Sequence, residues 1–378
     1  MSTIINADTS NGLKLTSDTS GEIELQANGV TKAKITANGL QDNNGNSLRG
    51  GMYRNLIING DMRIDQRNAG ASVTPGNGVY TIDRWAANQF SPTGKFSVQQ
   101  NAGSVTPPQG FTHYLGVTSS SAYSVSTNDI YGIYHFVEGY NIANLNWGTA
   151  NAKTITLSFW VRSSLTGTFA ASIRNGVANR SYPFTYTISS ADTWEQKSVT
   201  ISGDITGTWA TNHTAGLLLH FSLGAGTGLN GTANSWQAGS YASVSGATSV
   251  VGTSGATWQI TGIQLEVGEG ASDFEHLPYD VQLQRCQRYY WQLMVNPDVN
   301  SRHKSHDTTT HFGASGAFPV TMRIDNPSGT EISAPTLANC TVFGVYSDGN
   351  SYNIIVSPTS ANIAYYIKEG LYGFSAEL

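Results

Sequence analysis

One pattern limits this chain more than any other: short runs of alternating apolar and polar side chains, separated by turns rich in glycine, serine and asparagine. In TITLSFWVR, residues 154–162, Ile155, Leu157, Phe159 and Val161 fall on one side. A period of two marks a strand buried on one face. Similar runs stand at 55–59, 95–99, 115–118, 130–137, 168–174, 182–188, 195–201, 215–223 and 258–267. Many short strands at fairly regular spacing fold as a sandwich or jelly roll. Residues 52–275 are therefore expected to form a jelly-roll-like β-sandwich. Composition favours order over a disordered coil, since only 12% of residues are charged and 10% are aromatic and can fill a core. The run 223–254, rich in Gly, Ala and Ser with Trp236 and Tyr241 as anchors, reads as a long surface loop. Loops of that length are often functional.

At 378 residues the chain exceeds one ordinary core, and two or three units are expected. Residues 1–51 read as a β-rich stalk or attachment segment. Asn11-Gly12, Asn28-Gly29 and Asn38-Gly39 each adjoin a short strand-like run, at 13–15, 23–25 and 33–35. Asn-Gly favours the type I′ hairpin turn, whose two central residues need positive φ. The apolar residues are too few to offset an ordering entropy of ~1–2 kcal/mol per residue. Identical copies are thus expected to share their apolar faces, drawn by exposed strand edges; a flexible leader is the alternative. Residues 42–51, DNNGNSLRGG, read as the linker that follows.

Residues 276–300 read as a helix and linker. Pro278 and Asp280 mark its start, with Asp280 placed to accept the free amides of the first turn. Tyr279, Leu283, Cys286, Tyr290 and Leu293 are spaced four, three, four and three, a heptad-like seam. A helix this short is marginal alone, so the seam must bury against the chain's own sheet or against the same helix in neighbouring subunits. Residues 301–378 are expected to form a small C-terminal β domain, with strands at 317–323, 340–347, 352–356 and 363–368 and a hairpin turn at Asp348-Gly349. The fold class expected is mainly β with one short helix.

GIQLEVGEGASDFEH, residues 262–276, followed by LQRCQRYYW, residues 283–291, resembles a signature of phage virion proteins. NLIINGDMRIDQRNAG, residues 55–70, and TIDRW, residues 81–85, resemble its other half. The proteins concerned are chiefly tail-fibre and minor structural proteins of marine and cyanobacterial phages and of prophages. The resemblance implies a virion part rather than a chemistry: a tail fibre or spike, made in the host cytoplasm and carried on the particle. With the shared stalk it gives a homotrimer, joined to other tail proteins by its first segment and meeting host-surface glycan with its body and tip. The sandwich pattern also resembles the jelly rolls of carbohydrate-binding modules, a likeness of fold alone.

A net charge of −5 with scattered Lys and Arg argues against nucleic acid as a partner. No run approaches the ~18 apolar residues of a membrane span, and MSTIINADTS lacks the order of a secretory signal. Cys286 and Cys340, the two cysteines, form neither a disulfide framework nor a zinc site. The motifs of phosphate-binding loops, serine hydrolases and zinc proteases are absent, so no cofactor or catalytic set is expected. The carboxylates Glu266, Glu269, Asp273 and Glu275 could supply the pair that polysaccharide hydrolysis needs. They read first as groups solvating a turn or pairing with Arg285 and Arg288. His303, His306 and His311 with Asp307 have the ligand types of a transition-metal site but a loose spacing, and no metal is assigned. Arg63, Asp65, Arg67 and the Asp83-Arg84-Trp85 run read as a buried or interfacial ion-pair group. Sugar sites are concave and aromatic-lined. The candidate ligand-binding rings are Trp147, Trp209, Trp236 and Tyr241 in polar segments, with Tyr346 and Tyr352 in the last unit. Packing over a sheet edge is the plainer role for each loop tryptophan, and filling strands for the tyrosines of the last unit. Two rivals to a glycan-binding fibre remain: a depolymerase tailspike, and a purely structural tail or head-decoration protein.

Overall fold

The computed structural model describes residues 21–36, 39–42, 53–90, 92–294, 303–304, 312–333, 336–338, 340–358, 364–368 and 371–378. The Asn11-Gly12 turn and run 13–15, Asn38, most of the expected linker, His306, Asp307 and His311 lie outside them.

Strands β1 (Ile23–Ala27), β2 (Val30–Thr36) and β3 (Gly39–Asp42) form an antiparallel sheet of their own. Ala27 pairs with Val30 across Asn28 and Gly29, whose φ values of 53° and 72° are those of the expected type I′ turn. Ile23, Ile35 and Leu40 are cross-strand partners, as are Leu25 and Ala33, so they share one face. Glu24, Lys34 and Gln41 share the other, where Lys34 Nζ lies 3.1 Å from Glu24. Leu25, Val30, Ile35 and Leu40 are 40–50% exposed.

The sandwich follows. Its larger sheet runs β15-β11-β10-β13-β8-β5-β4 and its smaller β12-β9-β17-β7-β6. In chain order the strands are β4 (Tyr80–Ile82), β5 (Trp85–Phe90), β6 (Phe96–Gln100), β7 (Leu115–Ser119), β8 (Ile130–Glu138), β9 (Ile155–Ser163), β10 (Gly167–Asn175), β11 (Arg180–Ile188), β12 (Glu195–Ile201), β13 (Ala215–Ala225), the two-residue β14 (Asn230–Gly231), β15 (Gln237–Ala238) and β16 (Ser243–Val244), and β17 (Thr257–Val267). Nine of the ten expected sandwich strands are present within a few residues. Ile155, Leu157, Phe159 and Val161 all face the core, as their alternation requires. Phe159 meets Tyr186 and Phe221 edge-on at 5.2 Å, and Trp258 donates its indole N–H to Tyr186 across the sheets. The tenth expected strand, 55–59, is irregular chain. Asn55 meets β17 through its side chain and Asn59 takes a φ of 58°, so the segment is not held as a paired strand, although Ile57 faces the sandwich core and Ile58 the helix.

The expected long loop is corrected as well. Residues 226–250 are pinned to the larger sheet as a strap: β15 pairs with β11, β14 with β16, and Thr248 N–H donates to Thr168 O. Val250 and Val251 are fully buried.

Helix α1 (Tyr279–Gln287) has Pro278 at its N-cap and no side-chain cap. Asp280 sits inside the first turn, where it favours the positive end of the helix without capping it. The seam of Tyr279, Leu283, Cys286, Tyr290 and Leu293 is not one helical stripe. Tyr279 is 57% exposed, whereas Cys286 is sealed in a cluster with Ile58, Ile64 and Tyr289, flanked by Leu283 and Leu378. Tyr290 and Leu293 belong to strand β18 (Tyr290–Met294). Three aromatics in a row favour extended chain, and β26 (Leu371–Ser375) supplies the partner, with Leu293 opposite Tyr372.

The C-terminal unit adds β19 (His303–Lys304), β20 (Phe312–Ala317), β21 (Ser328–Ser333), β22 (Thr336–Ala338), β23 (Cys340–Ser347), β24 (Ser351–Pro358) and β25 (Ala364–Lys368). Its three sheets run β18-β26-β21, β19-β25-β22 and β20-β24-β23. Asp348 closes the β23–β24 hairpin by accepting from the amides of Asn350 and Ser351. The run 317–323 is not a strand beyond Ala317, because Phe318 and Met322 are plugs of the local core.

A Cβ at Gly60 would lie 2.1 Å from the carbonyl oxygen of Ile263. Gly60→Ala should therefore cost about 2–3 kcal/mol of stability by chemical denaturation. A loss below about 0.5 kcal/mol would mean that this close approach does not constrain the fold.

Candidate functional site

The segments 55–70 and 262–276 lie against each other. β17 pairs with β7 only through Ile260 and then bulges between Thr261 and Gln264, where Gly262 adopts a φ of 62°. Residues 55–60 fill the edge that β7 leaves. Asn55 donates to Ile263 O and accepts from the Leu265 amide, both at 3.0 Å. Leu56 N–H donates to Leu265 O, and Ile263 N–H to Gly60 O. Glu275 accepts from the amides of Tyr53 and Asn55 at 2.6 and 3.0 Å. Glu266 is buried and accepts from Ser272 and Gln264, with Arg54 at 3.8 Å. Glu266 is thus buried and Glu275 partly so, and both tie chain segments together through hydrogen bonds instead of forming an ion pair with Arg285 or Arg288.

Next to this seam lies a buried ionic group. Arg67 pairs with Asp83 and Glu377, and Arg84 with Glu377. Arg288 grips Glu138 through Nε and Nη2 at 3.1 and 2.8 Å, and the Tyr289 hydroxyl donates to the same carboxylate. Arg84 stacks 3.6 Å over the Tyr289 ring, and Arg67 3.6 Å over Tyr290. The ion-pair reading of Arg67 and Asp83-Arg84 thus describes their geometry, and Trp85 anchors it by donating to Asn59 O. Burial pushes the Tyr289 hydroxyl up to about 12 and holds His135 neutral, well below the usual histidine range.

Two of the cavities among the described residues carry the polar groups and rings of a binding site. One, of about 490 Å³, lies where the ionic group reaches the surface, lined by Tyr53, Tyr140, Asn141, Asn144, Arg285 and Arg288. Tyr53 and Tyr140 are 53% and 60% exposed. Arg285 donates to Asn55 O at 3.3 Å, and its Nη1 has no hydrogen-bond partner. Rings, amides and a cation around one hollow are what a polar ring-shaped ligand requires. The second, of about 290 Å³, lies between the strap and the outer face of the larger sheet.

The tryptophans expected to bind ligand have another role. Trp147, Trp209 and Trp236 meet edge-on in one cluster, with centroids 4.6–5.5 Å apart, and Tyr182 abuts Trp236. Their indole N–H groups donate to Lys153 O, Asp204 Oδ2 and Ser202 O. Trp147 and Trp209 are buried, so they close the end of the sandwich instead of offering a stacking face. Tyr241 is half-buried over Gly231 and Gly239. Tyr352 packs with Trp291, Phe318 and Phe374, while Tyr346 is 50% exposed. None of the six lines either cavity. Tyr53, Tyr140, Asn141 and Asn144 were not singled out, because they are ordinary polar residues in two distant turns.

Among the described residues no three His, Cys, Asp or Glu side chains gather as a metal site. No helix among them is long and apolar enough to cross a membrane.

No protein-family model and no curated protein matches the chain. Among solved structures it is similar to the enzymatically active domain of tailspike protein 4 of bacteriophage CBA120, at 13% identity and a TM-score of 0.31 over 57% of this chain. The chain spans about a fifth, 22%, of that protein. It is also similar to a family 11 carbohydrate-binding module from Clostridium thermocellum in complex with a β-1,3-1,4-mixed-linked tetrasaccharide (9%, TM-score 0.27, 55% of this chain and 100% of that one). A third is the N-terminal cellulose-binding domain of Cellulomonas fimi β-1,4-glucanase C (16%, TM-score 0.23, 48% and 88%). Likeness of this size bears on neither ligand nor activity.

Burial pushes the Asp83 carboxyl up to about 6, against Arg67 and Gln66, which pull it down. A folded-state value above the unfolded one means stability that is present at low pH and lost as pH rises. Relative to Asp83→Asn, the protein should lose about 2–3 kcal/mol between pH ~4 and ~7. Parallel urea titrations check this; a difference that is flat in pH, or that grows with it, would contradict the assignment.

Proposed function

We propose that this chain is a phage virion protein, a tail fibre or spike, that recognises host-surface glycan as a homotrimer. The observation that carries the glycan reading is the 490 Å³ cavity at the junction, with Tyr53 and Tyr140 exposed beside Asn141, Asn144 and Arg285. Sugars bind through rings on their apolar faces and fixed hydrogen-bond donors around them, and weak single sites gain ~10²–10⁴-fold when linked copies engage together. The virion reading rests on the signature resemblance, whose halves this fold packs into one unit. The trimer reading rests on the amphipathic sheet β1–β3, whose apolar face a second and third copy would cover. A depolymerase is the weaker rival, because Glu266 and Glu275, its proposed pair, have their oxygens engaged by amides and hydroxyls.

Labelled full-length protein should bind surface polysaccharide in an array of bacterial glycans. Tyr140→Ala combined with Asn144→Ala should weaken that binding at least tenfold with Tm unchanged. Parent protein that labels no polysaccharide, or a double variant that binds as well as the parent, sinks the reading. Native mass measurement of the full chain should give a trimer, and Leu25→Asp with Ile35→Asp should give monomers; a monomeric parent removes the shared stalk.

A further inference from the structure

The outer face of the larger sheet carries an arginine without an anion. Arg174 on β10 stands opposite Leu218 on β13, which stands opposite Phe136 on β8. The next row of that face holds Ser172, His220 and Tyr134. The strap lies over both rows and places Ser240 3.2 Å from Arg174 Nη1. Arg174 is 5% exposed, and its Nε has no hydrogen-bond partner. Arg67, Arg84, Arg180 and Arg288 each face a carboxylate. Among the described residues Arg174 forms no ion pair with a carboxylate; the ionisable side chains in the next row are Tyr134 and His220. Asp129, the acid nearest in sequence to the cavity wall at Asn128, spends its carboxylate on Tyr123 and the Ser126 amide. His220 is held neutral by burial and supplies no compensating charge.

An unpaired buried cation costs several kcal/mol, so proteins normally pair it or let it meet an anion from outside. The 290 Å³ cavity is where that anion can sit, with Tyr134, Phe136 and Leu218 as apolar wall and Asn88 Oδ1 as an acceptor without a partner. We propose that this cavity holds an acidic sugar residue, its carboxylate facing Arg174, its ring against Tyr134 and Phe136, and a hydroxyl donating to Asn88. The sugar part rests on the glycan reading; the anion part stands on Arg174 alone, at a site distinct from the Tyr140 cavity.

The test is calorimetric titration of the full-length protein with methyl glucuronide and with methyl glucoside. The uronate should bind at least tenfold more tightly. Arg174→Gln should abolish that preference, and Arg174→Lys should restore part of it. The Tm of Arg174→Gln should equal or exceed that of the parent, because an unpaired buried charge is removed. The proposal is overturned if both sugars bind equally, if neither binds, or if Arg174→Gln loses several degrees of Tm while keeping the preference. Tyr140→Ala with Asn144→Ala should leave this titration unchanged, so failure at one cavity does not imply failure at the other.

Discussion

Everything on one side of the sandwich depends on how β17 is completed. An extended strand buried on both faces must pair its amides on both edges. β9 follows β17 on one edge almost throughout, but β7 stops at Ile260. The remaining half of that edge is taken by irregular chain, with the Asn55 side-chain amide standing in for a peptide group. An amide offers one donor and one acceptor at the spacing of a backbone unit, which is why asparagine fits there. Gly60 and Gly262 are needed for a different reason: backbone meets backbone at the first, and the bulge takes a positive φ at the second.

Once residues 55–67 are fixed in this way, the charges follow. The segment brings Gln66 and Arg67 to Asp83 and sets Ile58 and Ile64 against Cys286 and Tyr289. The helix then holds Arg288 and Tyr289 at Glu138, and the last residues return Glu377 to Arg67 and Arg84. Asp83, Arg84 and Glu138 are buried, and Arg67, Arg288 and Glu377 partly so; each charge meets a partner, without which its burial would be costly. Arg323 locks the arrangement by donating to the carbonyls of His213, Ala376 and Glu377. The C-terminal unit is thus stitched to the sandwich by polar contacts more than by a shared apolar core.

Much of the fold was legible because a period of two survives wherever one sheet covers another. Ile155 to Val161 is the clear case. Legibility failed where a side chain replaces backbone pairing or the chain leaves one element for another. Leu56, Ile57 and Ile58 read as a buried strand, yet Asn55 reaches β17 by its side chain and Asn59 turns the chain with a φ of 58°. The seam from Tyr279 to Leu293 failed because spacings of four and three do not reveal that the chain leaves the helix after Gln287. The packing of the candidate tryptophans was hidden for a longer-range reason. Trp147, Trp209 and Trp236 come from segments far apart, and only the closed sandwich turns three loop indoles into one packed plug. Likewise, no local pattern tells a paired arginine such as Arg84 from Arg174.

The helix and the first sheet differ in how far their own chain covers them. Short helices need partners, and α1 has them within its own chain: Cys286 is sealed, and the one strongly exposed member of the expected seam is Tyr279 at its first turn. The helix therefore makes no demand on a neighbour. Among the described residues the sheet β1–β3 leaves an apolar side open, the side the proposed sister copies would cover. Its apolar side contributes to stability only as far as it is removed from water, and Leu25, Ile35 and Leu40 keep 40–43% of their surface. Strand edges and an apolar face are both self-complementary, so a sister copy meets the same need on each chain with one interface. The case for a fibre-like assembly thus rests on some twenty residues before the sandwich and no longer on the helix after it.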